Sequence, residues 1–245
     1  MVVAVLADIH GNLPALEAVL GEVGAAGAGL VVVAGDVLPG PMGAECLARL
    51  GGLGVPVRYL SGNGERVSLA AIDKHPLTEV PEPYRPSIEW GAAQLGADQV
   101  TDLRLWPPTV DVAIDGLGHV LCCHATPRSD SEIVTRLTPE DRAAPAFLGV
   151  TAPLVICGHT HLRMDRTVAG HRVVNAGSVG MPFDEPGAHW LLLDASGPRF
   201  VHTRYDLEAA AAQIRATAYP DAESFAASYV LKVPGEEAIL AAFGG

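Results

Sequence analysis

Two histidines one residue apart, His159 and His161, follow a short apolar run in the segment "VICGHTHLRMD" (155–165). Neutral imidazole is a common ligand for divalent transition ions, so other donors able to join this pair are of interest. They recur at one kind of position. The run "VVAVLA" (2–7) leads to Asp8, His10 and Asn12, "GLVVVAG" (29–35) to Asp36, "VPVRYLSG" (55–62) to Asn63, "HVLCC" (119–123) to His124, and "PLVICG" (153–158) to the histidine pair. Each run reads as a β-strand, and open parallel sheets bind ligands outside the carboxyl ends of their strands. Singly, Asp36 and Asn63 also read as turn formers or helix caps, and His124 as a satisfied core or surface histidine. Independent turn residues have no reason to share one topological position. Asp8, His10, Asp36, Asn63, His124, His159 and His161 are therefore the candidate metal ligands.

The donor types narrow the chemistry. Imidazole, carboxylate and amide oxygen suit manganese first, with iron, zinc, nickel or cobalt as the other candidates; an all-oxygen set would point to calcium or magnesium. Seven donors exceed what one tetrahedral centre needs. Two cations sharing one carboxylate would use them all. Such a pair, ~3.5–4 Å apart, acidifies a water between its members and neutralises the oxygens of a phosphoryl group. The expected cofactor is two divalent transition metal ions, and the expected reaction is hydrolysis of a phosphate ester by a hydroxide bridging them.

The elements that must position these donors are legible in outline. Between the first two strands, Leu13, Leu16, Val19, Leu20 and Val23 recur at helical spacing, with Asn12 as a cap and Pro14 in the tolerated first turn. A second short helix lies in "GAECLARLGGLG" (43–54), so the chain opens β-α-β-α-β, as parallel sheets do. A proline- and charge-rich cap region follows at about 66–108, with a helix over 86–97 and a shorter turn at 98–104. Strands are then expected in "TVDVAIDG", "HVLCCHA", "PLVICGH", "HRVVNAGS", "HWLLLDA" and "RFVHTRYD", interrupted by a segment that is helical from about 139. A helical tail spans about 206–245, beginning with an Ala-rich helix at Leu207–Ile214. The reading is one domain, 1–245, of two sheets with helices outside.

Composition sets limits on partners. Sixteen basic against 28 acidic residues give a formal charge of −12, which repels nucleic-acid backbones and anionic membrane surfaces. A small anionic substrate binds such a chain only where bound cations reverse the local field. Cys46, Cys122, Cys123 and Cys157 show no CxxC pair and read as reduced core thiols. No signal peptide or run of ~20 apolar residues is seen, and a cytoplasmic location is expected.

"ADIHGN" (7–12), "GD" (35–36), "GN" (62–63), "CHATP" (123–127) and "GHTH" (158–161), in that order and followed by "NAGSVGMP" (175–182), resemble the calcineurin-like metallophosphoesterase superfamily. Within it, the chain is most similar to the small bacterial and archaeal single-domain phosphoesterases. The resemblance implies two mixed β-sheets packed as a sandwich with helices on both outer faces, a four-layer α-β-β-α fold. It implies Asp8, His10, Asp36 and His161 around one metal, and Asp36, Asn63, His124 and His159 around the other, with Asp36 as the bridge that holds the hydroxide. It also makes a homodimer plausible, and leaves the "NAGS" segment to shape the rim. The substrates expected are phosphodiesters or small phosphomonoesters, including nucleotides. A phosphoprotein phosphatase is the alternative, because "ADIHGN" also resembles that branch, although "GDVLPGP" (35–41) stands where that branch has GDxVDRG. A second alternative is a non-enzymatic scaffold such as a retromer subunit.

One position departs from the family pattern. Many members follow the Asn ligand with a histidine that serves the leaving group, whereas this chain has "GNGER" with Gly64 there. General acid catalysis contributes typically ~10²–10⁴ in rate, most for poor leaving groups, so weak turnover of unactivated alkyl esters is expected. Asn12, Arg66, Arg128 and Arg163 are candidate substrate-binding residues, each with a solvated-surface or capping role as the ordinary reading. Trp90 and Trp106 read as cap packing. His119, His171, His189 and His202 lie in or beside strands without partner spacing and read as structural.

Overall fold

The computed structural model describes residues 1–243; Gly244 and Gly245, the end of the expected tail, lie outside the described residues. Ten strands form two five-stranded sheets. The first sheet runs β10 (Gly197–Thr203), β9 (Ala188–Asp194), β1 (Val3–Leu6), β2 (Leu30–Ala34) and β3 (Val57–Leu60). Here β1, β2 and β3 are parallel, and β9 returns antiparallel beside β1. The second sheet runs β4 (Thr109–Ile114), β5 (Gly118–Cys123), β6 (Leu154–Cys157), β8 (His171–Asn175) and β7 (Met164–Val168). Its β5, β6 and β8 are parallel, flanked by antiparallel edges.

Alternation along the strands decides which residues meet. Val3, Val5, Leu30, Val32, Leu191 and Leu193 of the first sheet face Val112, Val120, Cys122, Leu154, Ile156 and Val174 of the second, forming the inter-sheet core. The opposite face of the first sheet, with Ala4, Leu6, Val31 and Val33, packs on α1 (Leu13–Ala25) and α2 (Gly43–Gly51) through Leu16, Val19, Leu20, Cys46 and Leu50. The outer face of the second sheet is covered by α6 (Glu140–Ala143) and a 3-10 turn, through Ala143, Ala146 and Phe147. The result is the expected four-layer sandwich of mixed sheets.

Several elements differ from the sequence reading. The helix expected over 86–97 is α4 (Arg85–Ala93), and the turn expected at 98–104 is a helix, α5 (Ala97–Leu103). The two are separated at Gly96, whose N–H is accepted by the Gln99 side chain at 2.9 Å. The cap also contains α3 (Asn63–Ile72), which the sequence left unassigned because glycines flank its first residue. Strand β7 was likewise unforeseen: only Met164 and Val168 of "MDRTV" are buried, which is the weak pattern of an edge strand. The tail holds α7 (Leu207–Arg215), α8 (Ala222–Phe225) with a π-helical turn after it, and α9 (Glu236–Ala242). It docks through Ala211, Ile214, Phe225 and Val230 against Met42.

All four cysteines are free and buried. Among the described residues no helix is long and apolar enough to cross a membrane. Because Ile156 is fully buried between the sheets and Leu148 is 81% exposed, truncating each should have unequal effects. Ile156→Ala should lower stability by about 2–5 kcal/mol and Leu148→Ala by no more than ~0.5 kcal/mol, measured by urea unfolding.

Candidate metal centre

The parallel strands β1, β2, β3, β5 and β6 end on one rim, and the seven donors converge there. Asp8, His10 and His161 form one group, and Asp36, His124 and His159 a second, with one donor atom of each residue within 4.8 Å of the others in its group. Asn63 joins the second group, its Oδ1 lying 3.1 Å from His124 Nε2. Asp36 touches both groups: Oδ1 is 3.3 Å from His124 Nε2, and Oδ2 is 3.7 Å from His10 Nε2.

The backbone has to bend sharply to make this possible. Asp8, His10, Asp36, His159 and His161 all have φ between 46° and 69°, and only three other described non-glycine residues have positive φ. A left-handed residue at a strand end turns the chain abruptly and aims its side chain back over the sheet edge; it is also disfavoured for residues with a Cβ. Cross-links hold these turns. Asp8 N–H donates to Gly35 O at 3.1 Å, His10 N–H to Asp36 O at 2.9 Å, and His159 N–H to Asp8 Oδ2 at 2.9 Å. Asn175 of the "NAGS" segment donates to Gly158 O at 2.5 Å and Thr160 Oγ1 at 3.1 Å, and so shapes the loop carrying the two histidines.

The hydrogen bonds of the imidazoles determine what faces inward. His10, His124 and His161 each have Nδ1 near a backbone carbonyl, Pro39 O at 3.3 Å, Ala34 O at 2.9 Å and Met181 O at 2.7 Å respectively. Donation from Nδ1–H leaves Nε2 as a lone pair, the arrangement that orients a metal-binding histidine. Nε2 of His10 then faces Nε2 of His161 at 3.2 Å, and Nε2 of His124 faces oxygens of Asn63, Asp36 and Asp8. Asp8 Oδ1 is buried with no hydrogen-bond partner. Lone pairs gathered this closely repel unless a positive charge stands among them, and a hard-to-borderline cation fits this donor set.

The same crowding sets the protonation of the groups. Burial works against charge on Asp36, but His124, His10 and the Gly64 N–H together hold its carboxyl well below the usual range. Asp8 is also lowered, by His161 and His124 acting against burial. Burial pushes His10 down to about 4, while the carboxylates of Asp36 and Asp8 outweigh burial at His124 and carry it up to about 10.

One residue with a central role was not singled out from the sequence. Glu65, fully buried, accepts N–H bonds from Asp36 at 2.8 Å, Gly62 at 2.8 Å and Leu38 at 3.1 Å. It thus joins the loop after β2 to the start of α3, fixing Asp36 relative to Asn63. Burial and the nearby Asp36 charge push its carboxyl up to about 7 against the pull of those N–H groups. Its place three residues after Gly62 is the available sequence signal, the glutamate half of a capping box whose N-cap here is glycine and has no side chain to complete it. Gly64 N–H donates to Asp36 Oδ1 at 2.7 Å, and a Cβ at Gly64 would collide with the Leu38 carbonyl oxygen. That contact explains why glycine, and no larger residue, stands at this position.

A model described as the calcineurin-like phosphoesterase superfamily domain matches residues 1–197. The chain belongs to that superfamily. Among solved structures, this chain is similar to a metallophosphoesterase from Sphaerobacter thermophilus, at 26% identity and TM-score 0.69, over 94% of this chain and 99% of that one. It is similar in fold to a hypothetical protein from Pyrococcus horikoshii OT3, at 23% identity and TM-score 0.77, over 96% of this chain and 99% of that one. An archaeal phosphodiesterase shares the fold at 16% identity and TM-score 0.50, over 82% of this chain and 99% of that one. No curated protein matches the chain in sequence.

The remaining candidate residues lie around this donor cluster rather than in it. Asn12 is fully buried; its Oδ1 caps α1 by accepting from Ala15 N–H at 3.2 Å, and its amide donates to Gly180 O at 2.9 Å. Arg66 is tied to Asp130 at 2.5 Å and to Glu79, and Arg128 to Glu132 at 2.5 Å. Both line a cavity of about 630 Å³ that reaches His124 and includes Trp106, itself stacked on Tyr59 at 4.5 Å. A smaller hollow of about 250 Å³ borders His10 and is walled by Tyr84, Tyr219, Phe225 and Tyr229. Arg163 stands apart from both, 3.8 Å from Asp184 and 3.9 Å from Glu185.

Glu65 offers a test of how the centre is held. Glu65→Gln should weaken Mn(II) binding by roughly 10–100-fold, measured by equilibrium dialysis. Glu65→Ala should in addition lower stability, by about 1–3 kcal/mol for each buried N–H left without a partner, measured by urea unfolding. Unchanged Mn(II) affinity in both variants would show that Glu65 does not hold the donor loops.

Proposed function

We propose that this phosphoesterase hydrolyses small phosphate esters, diesters or monoesters including nucleotides, at a dinuclear metal centre. The observation that carries the reading is the convergence of buried donor atoms from five strand ends, with Asp36 presenting one oxygen to each group. In this reading Asp8, His10, Asp36 and His161 hold one cation, and Asp36, Asn63, His124 and His159 hold the other. Manganese is the first candidate, with iron, zinc, nickel or cobalt as the others. When bound, such a pair supplies an acidified water and a positive field for the phosphoryl oxygens.

The protein's own part is to position, shield and polarise. Nδ1–H bonds to backbone carbonyls fix three imidazole rings, so their lone pairs point to one place without reorganisation. The net charge of −12 would repel a phosphate, so the local field at the centre has to overcome it. Arg66 and Arg128 stand on the wall of the cavity beside His124, and we assign them to orienting the substrate. The cavity's size suits a small ester. A protein substrate would need a broader open surface, and "GDVLPGP" departs from the phosphoprotein phosphatase motif.

Gly64 sets the choice of leaving group. With no side chain at that position, esters whose leaving group departs unprotonated are favoured. A histidine cannot simply be restored, because its Cβ would collide with the Leu38 carbonyl oxygen and approach the Asp36 carboxylate.

The direct test is a paired assay of bis(p-nitrophenyl) phosphate and p-nitrophenyl phosphate with Mn(II), Zn(II), Co(II), Ni(II) and Fe(II). Turnover of at least one ester is expected, reduced on the order of 10²-fold or more by Asp36→Asn. Absence of turnover with every metal would favour a scaffold. The kcat/KM for an alkyl phosphate ester should fall below that for its p-nitrophenyl counterpart by roughly 10²–10⁴. Gly64→His should weaken Mn(II) binding and leave that gap open; a narrowed gap would mean the loop accommodates an acid after all.

A further inference from the structure

The hairpin of β9 and β10 places His189 directly opposite His202 in the antiparallel register. Directly opposed residues on antiparallel strands share one face with their Cβ atoms close together. Their rings stack with centroids 4.5 Å apart. Glu185, on the loop that enters β9, completes the cluster: one donor atom from each of Glu185, His189 and His202 lies within 4.8 Å of the other two. His202 Nδ1 is 3.4 Å from Glu185 Oε1.

Two features of this cluster repeat features of the phosphoesterase centre. The first is the outer hydrogen bonding. His189 Nε2 lies 3.1 Å from Glu185 O, and His202 Nε2 lies 2.9 Å from Pro186 O. Donation to those carbonyls leaves Nδ1 of each ring as the lone pair, with its tautomer fixed from outside. The second is an orphan. His189 is 1% exposed, and its Nδ1 is buried with no hydrogen-bond partner. The described residues hold three such unpartnered side-chain atoms: Asp8 Oδ1 in the phosphoesterase centre, Ser68 Oγ and His189 Nδ1. A buried lone pair without a partner is destabilising, and a cation is the partner that imidazole nitrogen and carboxylate oxygen have in common.

We propose that Glu185, His189 and His202 form a further cation site, separate from the phosphoesterase centre, taking one borderline divalent ion such as Zn²⁺. Two imidazoles and one carboxylate are three of the four ligands of a tetrahedral zinc, and the exposed side of Glu185 leaves the fourth to water. The rings now stack within 16° of parallel, so one has to tilt for both Nδ1 lone pairs to meet the ion. Arg163 stands beside the site. Its guanidinium approaches Glu185 Oε2 at 3.9 Å and Asp184 Oδ2 at 3.8 Å, on the other oxygen from the one facing His202. It thus orients the carboxylate more than it competes for it. The segment before Glu185 also bears on the phosphoesterase centre, because Met181 O receives the His161 Nδ1–H bond and Phe183 lies on the His161 ring at 5.1 Å. An ion at Glu185 would pin the far end of that segment.

The test is a count of Zn²⁺ retained by the full chain after equilibrium dialysis, for wild type, His202→Ala and Glu185→Gln. Wild type should retain one equivalent more than His202→Ala, and Glu185→Gln should hold that extra ion at least tenfold more weakly. Co²⁺ in place of Zn²⁺ should give visible absorption of a four-coordinate site that is diminished by one ion in His202→Ala. Should His202→Ala fail to fold, Glu185→Gln, altered at a partly exposed carboxylate, carries the comparison alone. Equal counts and affinities in all folded proteins would overturn the proposal. The readout is a difference, so it stands apart from the proposed dinuclear centre: were that centre absent, wild type would hold one ion and His202→Ala none.

Discussion

The structure depends on forcing chain reversal at the carboxyl ends of three buried parallel strands, β1, β2 and β6, without letting the reversal relax. At Asp8, His10, Asp36, His159 and His161 the backbone occupies the left-handed region that side chains disfavour. A free loop would leave it. What prevents this is mutual bracing: the loop after β1 hangs on the loop after β2 through backbone bonds, the histidine loop hangs on Asp8, and Glu65 clamps the loop after β2 to α3. The inter-sheet core beneath is apolar and close-packed, so the strand ends cannot drift apart to ease the strain.

This bracing explains an electrostatic arrangement that would otherwise be unstable. Two carboxylates, Asp8 and Asp36, are buried within a few ångströms of four imidazoles. In a softer setting such groups would turn outward. Here the outward-facing nitrogens are committed to backbone carbonyls, so the inward-facing ones stay fixed. An acidic protein thus gathers buried cation ligands at this rim, while others of its acids, such as Glu17, Asp73, Asp165 and Glu223, lie in surface ion pairs.

Much of this was legible because it rests on patterns that sequence carries directly. Uninterrupted β-branched runs such as "VVVA" mark strands covered on both faces, and the donor types that follow them repeat too regularly to be turn residues alone. The fold class and the gathering of Asp8, His10, Asp36, Asn63, His124, His159 and His161 followed from that. Other features depend on contacts that no local pattern reveals. Glu65 looks like any acidic residue in a first helical turn until three N–H groups from two loops are seen to converge on it. Asn12 was read as a helix cap and also as a substrate ligand, and its place in the structure is the first of these. The pairing of His189 with His202 follows from the register of a tight hairpin, which a count of spacings between single histidines overlooks.

The backbone at Gly40 sits so close to the His10 carbonyl that there is no room for even a methyl group between them. A ring of residues closed this tightly has little freedom to diversify: nearly any enlargement would dislodge a donor. The wall beside His10 is under no such restraint, since Tyr219, Phe225 and Tyr229 come from a segment beyond the stretch the superfamily model matches. A change in that wall can therefore alter which molecules reach His10 while leaving the ring of donors in place.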